Sequence, residues 1–508
     1  MTDTIVESKT TAPVRLHALM QWMARFDAHD VATVLLLGAL TITALCTFRD
    51  YAISNDEGVQ HHYGELIIAC YKSHFADQSV FHFENLYLYG GLFDIIAVAL
   101  SQIVPIDPYD LRHIMCALIG IGGIGAAAAT ARLVAGPRAG LIAAISLTVC
   151  GVWYGAMFNH TKDIPLAAAM TGATFFLLRA APSLPRPRPL DLLSFGLLAG
   201  AALGMRVLGL LLVIYAGIAI VLFLPRPLLH HGRERWGFVI ESSLRFFPAL
   251  LLAYGIMILA WPWAALAPLN PIRGLLSFSE FQYHIRTVLA GQVYEMANVP
   301  RLYVPIYILI RVPLLTLLGA GLAAIFVLLP RLAARSARLR RRHIALVLLM
   351  AGFPLACQVI CHGPAFTGLR HFLFVIPSLA ILAGIGLDAA VAALATRHRT
   401  TMAAGALAVM TAWCLWNAIT LVRLHPYEYL FYNPAVGGLE GASRRYATDY
   451  WVNIMPAAVD QLEDYITRTE HTGGLRTAHK YTVAVCGERI SFEKRAKPRL
   501  LQWIRVQQ

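Results

Sequence analysis

The sequence predicts a polytopic, all-α membrane protein, and three observations carry that prediction. Of its 508 residues 58% are hydrophobic and 14% charged, whereas soluble domains carry about 25% charged residues. Apolar runs of about 20 residues, the length that crosses a bilayer, recur along most of the chain. Short loops rich in Arg, Pro and Gly separate them, as topology-setting loops do. A net charge of +13 would suggest nucleic acid as a partner of a soluble protein. Here the arginines sit mainly in those loops, so membrane lipids are expected as partners and nucleic acid is not. The eight cysteines are scattered without a CxxC pair or metal-ligand spacing and are expected to pack.

Residues 1–30 are polar and mixed in charge, a cytoplasmic N-terminal segment, and Val31 to Phe48 is a retained anchor. Basic loops at Arg132 and Arg138, at Arg179, Arg186 and Arg188, at Arg226 to Arg235, at Arg331 to Arg342 and at Arg397 to Arg399 are expected in the cytoplasm. Each interval between them must then hold an even number of spans. Leu141 to Gly155 and Ile164 to Leu178 form a hairpin whose outer turn is Phe158 to Asp163. Leu192 to Leu224 would be roughly 50 Å long as one helix, too long for one span, and is expected to break at Met205-Arg206. A span ending near Trp261-Pro262-Trp263 leads through a long outer loop, 264–302, to a return from Tyr303. Ile344 to Cys361, an outer loop from His362 to His371, Phe372 to Ala395 and Met402 to Leu421 complete the transmembrane region, 31–421.

Leu86 to Val104 is apolar enough to span, yet crossing there would invert every later loop. Gly90, Gly91 and Asp94 in its middle also suit lipid poorly. It is expected to be a re-entrant or surface helix of the first outer loop, 49–110, beside an interfacial helix over Val59 to Tyr71. Ile114 to Ala131 makes the return. The count is about 11 spans, with the N-terminus inside and the C-terminus outside. Residues 422–508 form a small extracytoplasmic α/β tail, with a helix over Ala457 to Ile466 and a strand over Tyr481 to Val485.

Chemistry gathers on the outer face. Asp56 and Glu57 are adjacent carboxylates near a bilayer exit; they either cap the next helix or take part in a reaction. The same topology brings to that face His160, Lys162 and Asp163; Arg206; His284 and Arg286; and His362, Arg370 and His371. Singly, each has an ordinary explanation, such as an anchoring cation at a span end. Together they make separate acidic and basic sets at headgroup depth. Lys162, Arg206, Arg370 and His371 suit a lipid-borne phosphate. Asp56 suits the base that takes a proton from an attacking hydroxyl, and a leaving phosphate needs electrostatic stabilisation. Asp163 could orient Lys162 or the acceptor, or help hold a divalent cation. His160, His284 and Tyr303 are candidate substrate contacts. The alternative is a transporter or lipid flippase, in which intramembrane charges line a path.

Several segments resemble one family. These are the Asp56-Glu57 pair after the first span, the turn Phe158 to Pro165, and Val299 to Pro305 with Ile310-Arg311-Val312-Pro313. Gly368 to Leu373, and His425 to Gly438 with Asp449-Tyr450-Trp451, complete the set. They resemble the GT-C-fold membrane glycosyltransferases, in the bacterial branch of the protein O-mannosyltransferase and lipid A aminoarabinose transferase family. The resemblance implies a mannosyltransferase-like enzyme of the bacterial inner membrane with a polyprenyl-phosphate-linked sugar donor. It also implies an extracytoplasmic acceptor (lipid, glycan or protein), transfer on that face, and inversion at the anomeric carbon. It places catalytic acids at Asp56, Glu57 and Asp163, and it carries over no metal or other cofactor. The Lys-Pro-Pro element of aminoarabinose transferases is missing where this chain reads Glu84-Asn85-Leu86-Tyr87, so that sugar is not implied.

Overall fold

Backbone polar groups that enter hydrocarbon must pair within their own segment, which favours helices. The computed structural model describes residues 27–280, 285–328, 338–363, 365–395, 400–473 and 481–507. His284, the basic residues at 331, 335 and 397–399, and the first 26 residues lie outside these. Seven described helices have spanning length and apolarity: Ala28–Asp50, Pro108–Ala135, Asp163–Ser183, Gly232–Ala260, Arg340–Cys361, Arg370–Ala395 and Thr400–Leu424. Two bent pairs raise this to nine: Pro137–Thr148 with Gly151–Asn159 at 69°, and Tyr303–Arg311 with Leu314–Leu328 at 116°. The shorter apolar helices Pro189–Leu203 and Val207–Leu222 account for the difference from the 11 spans expected. They part around Arg206, whose backbone is extended.

The breaks have local causes. Val312 turns extended before Pro313, as a residue preceding proline prefers. The other bend, at Cys150-Gly151, makes room for the chain beyond the last span. A Cβ on Gly151 would lie 2.4 Å from the Glu428 carbonyl oxygen, and one on Gly155 2.1 Å from the Tyr429 nitrogen. The most enclosed spans are those starting at Asp163 and Arg370, each 78% buried along its apolar window. Two residues central to the site therefore head the central helices.

In the first outer loop, Leu92–Ser101 has 10 residues, about 15 Å, half the ~30 Å hydrocarbon thickness. Its start is pinned from below: Gly91 N–H donates to the Ala260 carbonyl at 2.9 Å and Leu92 N–H to that of Gly204 at 3.0 Å. A Cβ on Gly90 would sit 2.1 Å from the Gly204 oxygen, which explains the glycine. Glu57–Lys72 crosses above, burying Gln60, Tyr63, Gly64, Ile67 and Cys70, a helical stripe.

The long outer loop contains an antiparallel hairpin, β1 (Arg286–Leu289) with β2 (Gln292–Glu295), that the sequence reading did not foresee. Tail strands β3 (Tyr481–Ala484) and β4 (Ile504–Gln507) pair in parallel. Met455–Gly473 and two short helices close a small apolar core of Val459, Ile466, Phe492 and Leu500 over them. Arg132 bonds Asp30, Arg138 bonds Asp388, and Arg340 donates to the Val134 and Ala135 carbonyls. These basic loops share one end of the bundle; Arg112, about 30 Å away along the same helix, joins the acidic and basic set at the other.

Two outcomes test this packing. A Cβ on Gly386 would lie 2.0 Å from the Gly319 oxygen, whereas Gly405 has nothing within 4 Å. Gly386→Leu is therefore expected to lose about 1–3 kcal/mol and Gly405→Leu little, read by thermal unfolding in detergent. His425, between Glu428 at 2.7 Å and Asp50 at 3.1 Å, has its pKa raised to about 9 by the Glu428 and then the Asp50 hydrogen bond. Its imidazolium thus adds stability that is complete below the free-histidine pKa of about 6.5 and is lost as pH rises through about 9. The stability gap between wild type and His425→Gln should close across that window.

Candidate active site

Asp56 occupies the N-cap position of Glu57–Lys72 but makes no capping hydrogen bond. Its carboxylate instead receives Arg370 Nη2, so capping does not account for this residue. Arg370 Nε lies 3.5 Å from Asp163 Oδ2, and Asp163 Oδ1 lies 2.8 Å from Arg206 Nη2. One chain of alternating charge therefore joins the first outer loop, the outer turn, the Arg206 break and the loop before Phe372. The Asp56 side chain is 31% exposed while that of Asp163 is 4% exposed, so Asp56 is the acid that an incoming molecule can reach.

Lys162 is buried beside this chain, 3.9 Å from Asp94 Oδ2 and over the Tyr63 and Tyr89 rings at 5.4 and 5.1 Å. Burial lowers its pKa, and Asp94 opposes the shift. Asp94 is bound 2.7 Å away by Arg112, which also donates to Gln60 and Thr161 at 3.2 and 3.0 Å. Sequence reasoning missed this layer. Its available signals were Asp94 in an apolar helix and Arg112 one turn into a span.

Glu57 does not share the Asp56 setting. It is fully buried, accepts the Ser54 N–H at 2.8 Å, and lies 3.2 Å from His113 and 4.0 Å from Arg112. This is the geometry of a brace for the Asp56 turn. Tyr303 is also buried, bonded through its hydroxyl to Thr287 and to the Gly368 N–H at 2.6 and 2.8 Å. It anchors the hairpin and the approach to Arg370. His371 packs on Phe366 with ring centroids 4.0 Å apart, His362 contacts the Val299 carbonyl at 2.7 Å, and Arg286 lies exposed on β1.

The tail enters the site itself. Trp451 lies 4.1 Å from the Arg370 guanidinium carbon and 4.7 Å, ring to ring, from His160, while Tyr450 accepts from Arg370 at 3.2 Å. Asn453 accepts from Asn159 at 2.8 Å, and Asn55, next to Asp56, accepts the Glu488 N–H at 3.1 Å. His160 is buried, and its pKa is lowered to about 3 by burial and then by Arg370, so its imidazole is neutral near pH 7. A cavity of about 40 Å³ opens here, lined by His160, Arg311, Thr367, Arg370, Tyr450 and Trp451 among others. Among the described residues no three His, Cys, Asp or Glu side chains form a metal-binding group. Asp163, the acid suggested for a divalent cation, faces Arg206 and Arg370, so its surroundings do not fit one as they stand.

Residues 112–263 match the family model described as dolichyl-phosphate-mannose-protein mannosyltransferase. Over 93% of this chain and 85% of the other, the fold is similar to the crystal structure of ArnT from Cupriavidus metallidurans bound to undecaprenyl phosphate, with a TM-score of 0.51 and 15% identity. The chain thus has the fold of a GT-C glycosyltransferase, and a part of it is similar in sequence to the mannosyltransferase family. The apo form of the same ArnT aligns with a TM-score of 0.48 and 16% identity, covering 94% and 86% of the two chains. An Archaeoglobus fulgidus oligosaccharyltransferase tethered with an acceptor peptide aligns at 0.47 and 12% identity, covering 89% and 61%. No curated protein sequence matches the chain. The family match includes Arg112, His160, Lys162, Asp163 and Arg206. Asp56 and Arg370 lie outside it and are joined to it by the fold.

If Glu57 is a brace, Glu57→Ala should cost about 3 kcal/mol or more, the penalty for stripping one partner from a buried pair, while Asp56→Asn, which leaves Arg370 still facing Asp163, should cost less. Denaturant unfolding of the two variants compares them directly.

Proposed function

We propose that the enzyme transfers a sugar from a polyprenyl-phosphate donor to a hydroxyl-bearing acceptor on the extracytoplasmic face of a bacterial inner membrane, with inversion. The observation that carries this is the Arg370 bridge between the partly exposed Asp56 and the buried Asp163, beside the Lys162 and Arg206 cations. The N-terminus lies inside and the C-terminus outside in this reading, which the basic loops gathered at the opposite end of the bundle support.

The acceptor oxygen attacks the anomeric carbon, and its proton passes to the Asp56 carboxylate. The bond from that carbon to the phosphate oxygen breaks, and its electron pair leaves with the polyprenyl phosphate. Arg370, Arg206 and Lys162 stabilise the charge that develops there, at a depth where reduced hydration strengthens each contact. Arg370 also couples the two substrates. A donor phosphate competes with Asp56 for the guanidinium, so donor binding releases the base for the acceptor. Asp163 keeps Arg206 and Arg370 aligned, and Glu57 holds the turn that presents Asp56. No step is routed through a metal.

Asp56→Asn keeps the shape and loses the proton acceptor. It is expected to lower turnover by at least ~100-fold, the usual scale of base catalysis, with donor binding retained. Single-turnover assays with a polyprenyl-phosphate sugar, run beside donor-binding measurements, read the two effects separately; wild-type turnover would remove Asp56 from this role.

A further inference from the structure

The cations assigned above to the donor are already matched. Arg206 faces Asp163, Arg370 faces Asp56 and Asp163, Lys162 faces Asp94, and Arg112 faces Asp94 and Glu57. Arg311 differs from all of them. It ends the helix Tyr303–Arg311, just before the chain turns extended, and is 7% exposed. One amino group donates to the Tyr429 carbonyl, and the guanidinium carbon lies 4.5 Å from the centre of the Tyr432 ring. Its Nε, like that of Arg112, Arg206 and Arg370, has no hydrogen-bond partner among the described residues. Among the described residues no carboxylate lies within 4 Å of it. A guanidinium cannot shed its proton at ordinary pH, and a charge held out of water without a counter-ion is strongly unfavourable. A buried arginine in this state calls for an anion.

The surroundings are built to receive one. Arg311 lines the small cavity, about 40 Å³, together with Arg370, Thr367 and His160. Thr367 Oγ1 and His160 Nε2 are both buried there without partners. His160, neutral near pH 7, adds a hydrogen bond without adding charge. Val152, Leu369 and Leu373 make the wall apolar, which strengthens a charge-assisted bond within it.

We propose that this cavity is a phosphate site in which Arg311, supported by Thr367 and His160, binds a phosphate group carried by a substrate. The inference deepens the proposed transferase reading and rests on it for the identity of the substrates. The phosphate has two possible sources: the polyprenyl phosphate itself, or a phosphate on the acceptor.

The test uses the full-length protein in lipid nanodiscs as wild type, Arg311→Gln and Arg311→Lys, with inorganic phosphate and undecaprenyl monophosphate as probes. Inorganic phosphate is expected to raise the melting temperature of the wild type and not that of Arg311→Gln, with Arg311→Lys between them. Without phosphate, Arg311→Gln should melt at or above the wild type, because an unmatched buried charge has been removed. A loss of about tenfold or more in undecaprenyl monophosphate affinity in Arg311→Gln assigns the site to the donor lipid. Unchanged lipid affinity with loss of the inorganic-phosphate response assigns it to the acceptor. Retention of that response in Arg311→Gln overturns the proposal, as does a sharp loss of phosphate-free stability, which would make Arg311 a structural clasp for Tyr429. If the wild type binds no undecaprenyl monophosphate, the donor reading fails by itself, and the inorganic-phosphate response alone decides the Arg311 site.

Discussion

Arg370 between Asp56 and Asp163 is the contact on which the arrangement of this molecule depends. Each of the three charges would be costly to bury alone, and together they are matched only when loops from three separated parts of the chain meet. The same logic continues outward through Arg206, and in parallel through Lys162, Asp94 and Arg112. Removing one member of such a network strands its partner, so the network assembles as a unit. This makes the helix ends a rigid frame, and a frame suits chemistry that requires preorganised charge.

The backbone was shaped to let that frame close. Gly90 and Gly91 allow the first outer loop to sit directly on the ends of two helices, and Gly151 and Gly155 let the chain after the last span lie against a broken one. Those contacts bring Tyr450 and Trp451 under Arg370 and Asn453 against Asn159. The tail is thus part of the wall of the site. A bend of 116° at Val312 and Pro313 performs a comparable task, leaving Arg311 at a helix end inside the bundle beside the cavity.

Much of this was legible in the sequence, because hydropathy, loop charge and helix length are local properties. They gave the polytopic helical class, the break at Arg206 and the short first-loop helix at Gly90 to Asp94. They also collected Asp56, Asp163, Lys162, Arg206 and Arg370 on one face, since parity of crossings relates residues that never touch in sequence. The hairpin at Arg286 to Glu295 was not seen, because its strands have four residues each, too few for a period-two pattern to stand out in a long loop.

What periodicity and composition could not supply was which charge meets which. Asp56 and Glu57 are neighbours with the same chemistry, yet one reaches Arg370 and the other is sealed against His113 and the Ser54 backbone. Arg311 stands in the sequence only as part of the Ile310 to Pro313 segment, and the structure places it beside a cavity with no carboxylate within 4 Å among the described residues. Amino-acid pattern determined where hydrophobic surface must go and so the membrane-spanning frame. Tertiary structure alone decided the pairing of buried charges, because electrostatic energy in a poorly hydrated interior depends on distances of a few ångströms between residues hundreds of positions apart.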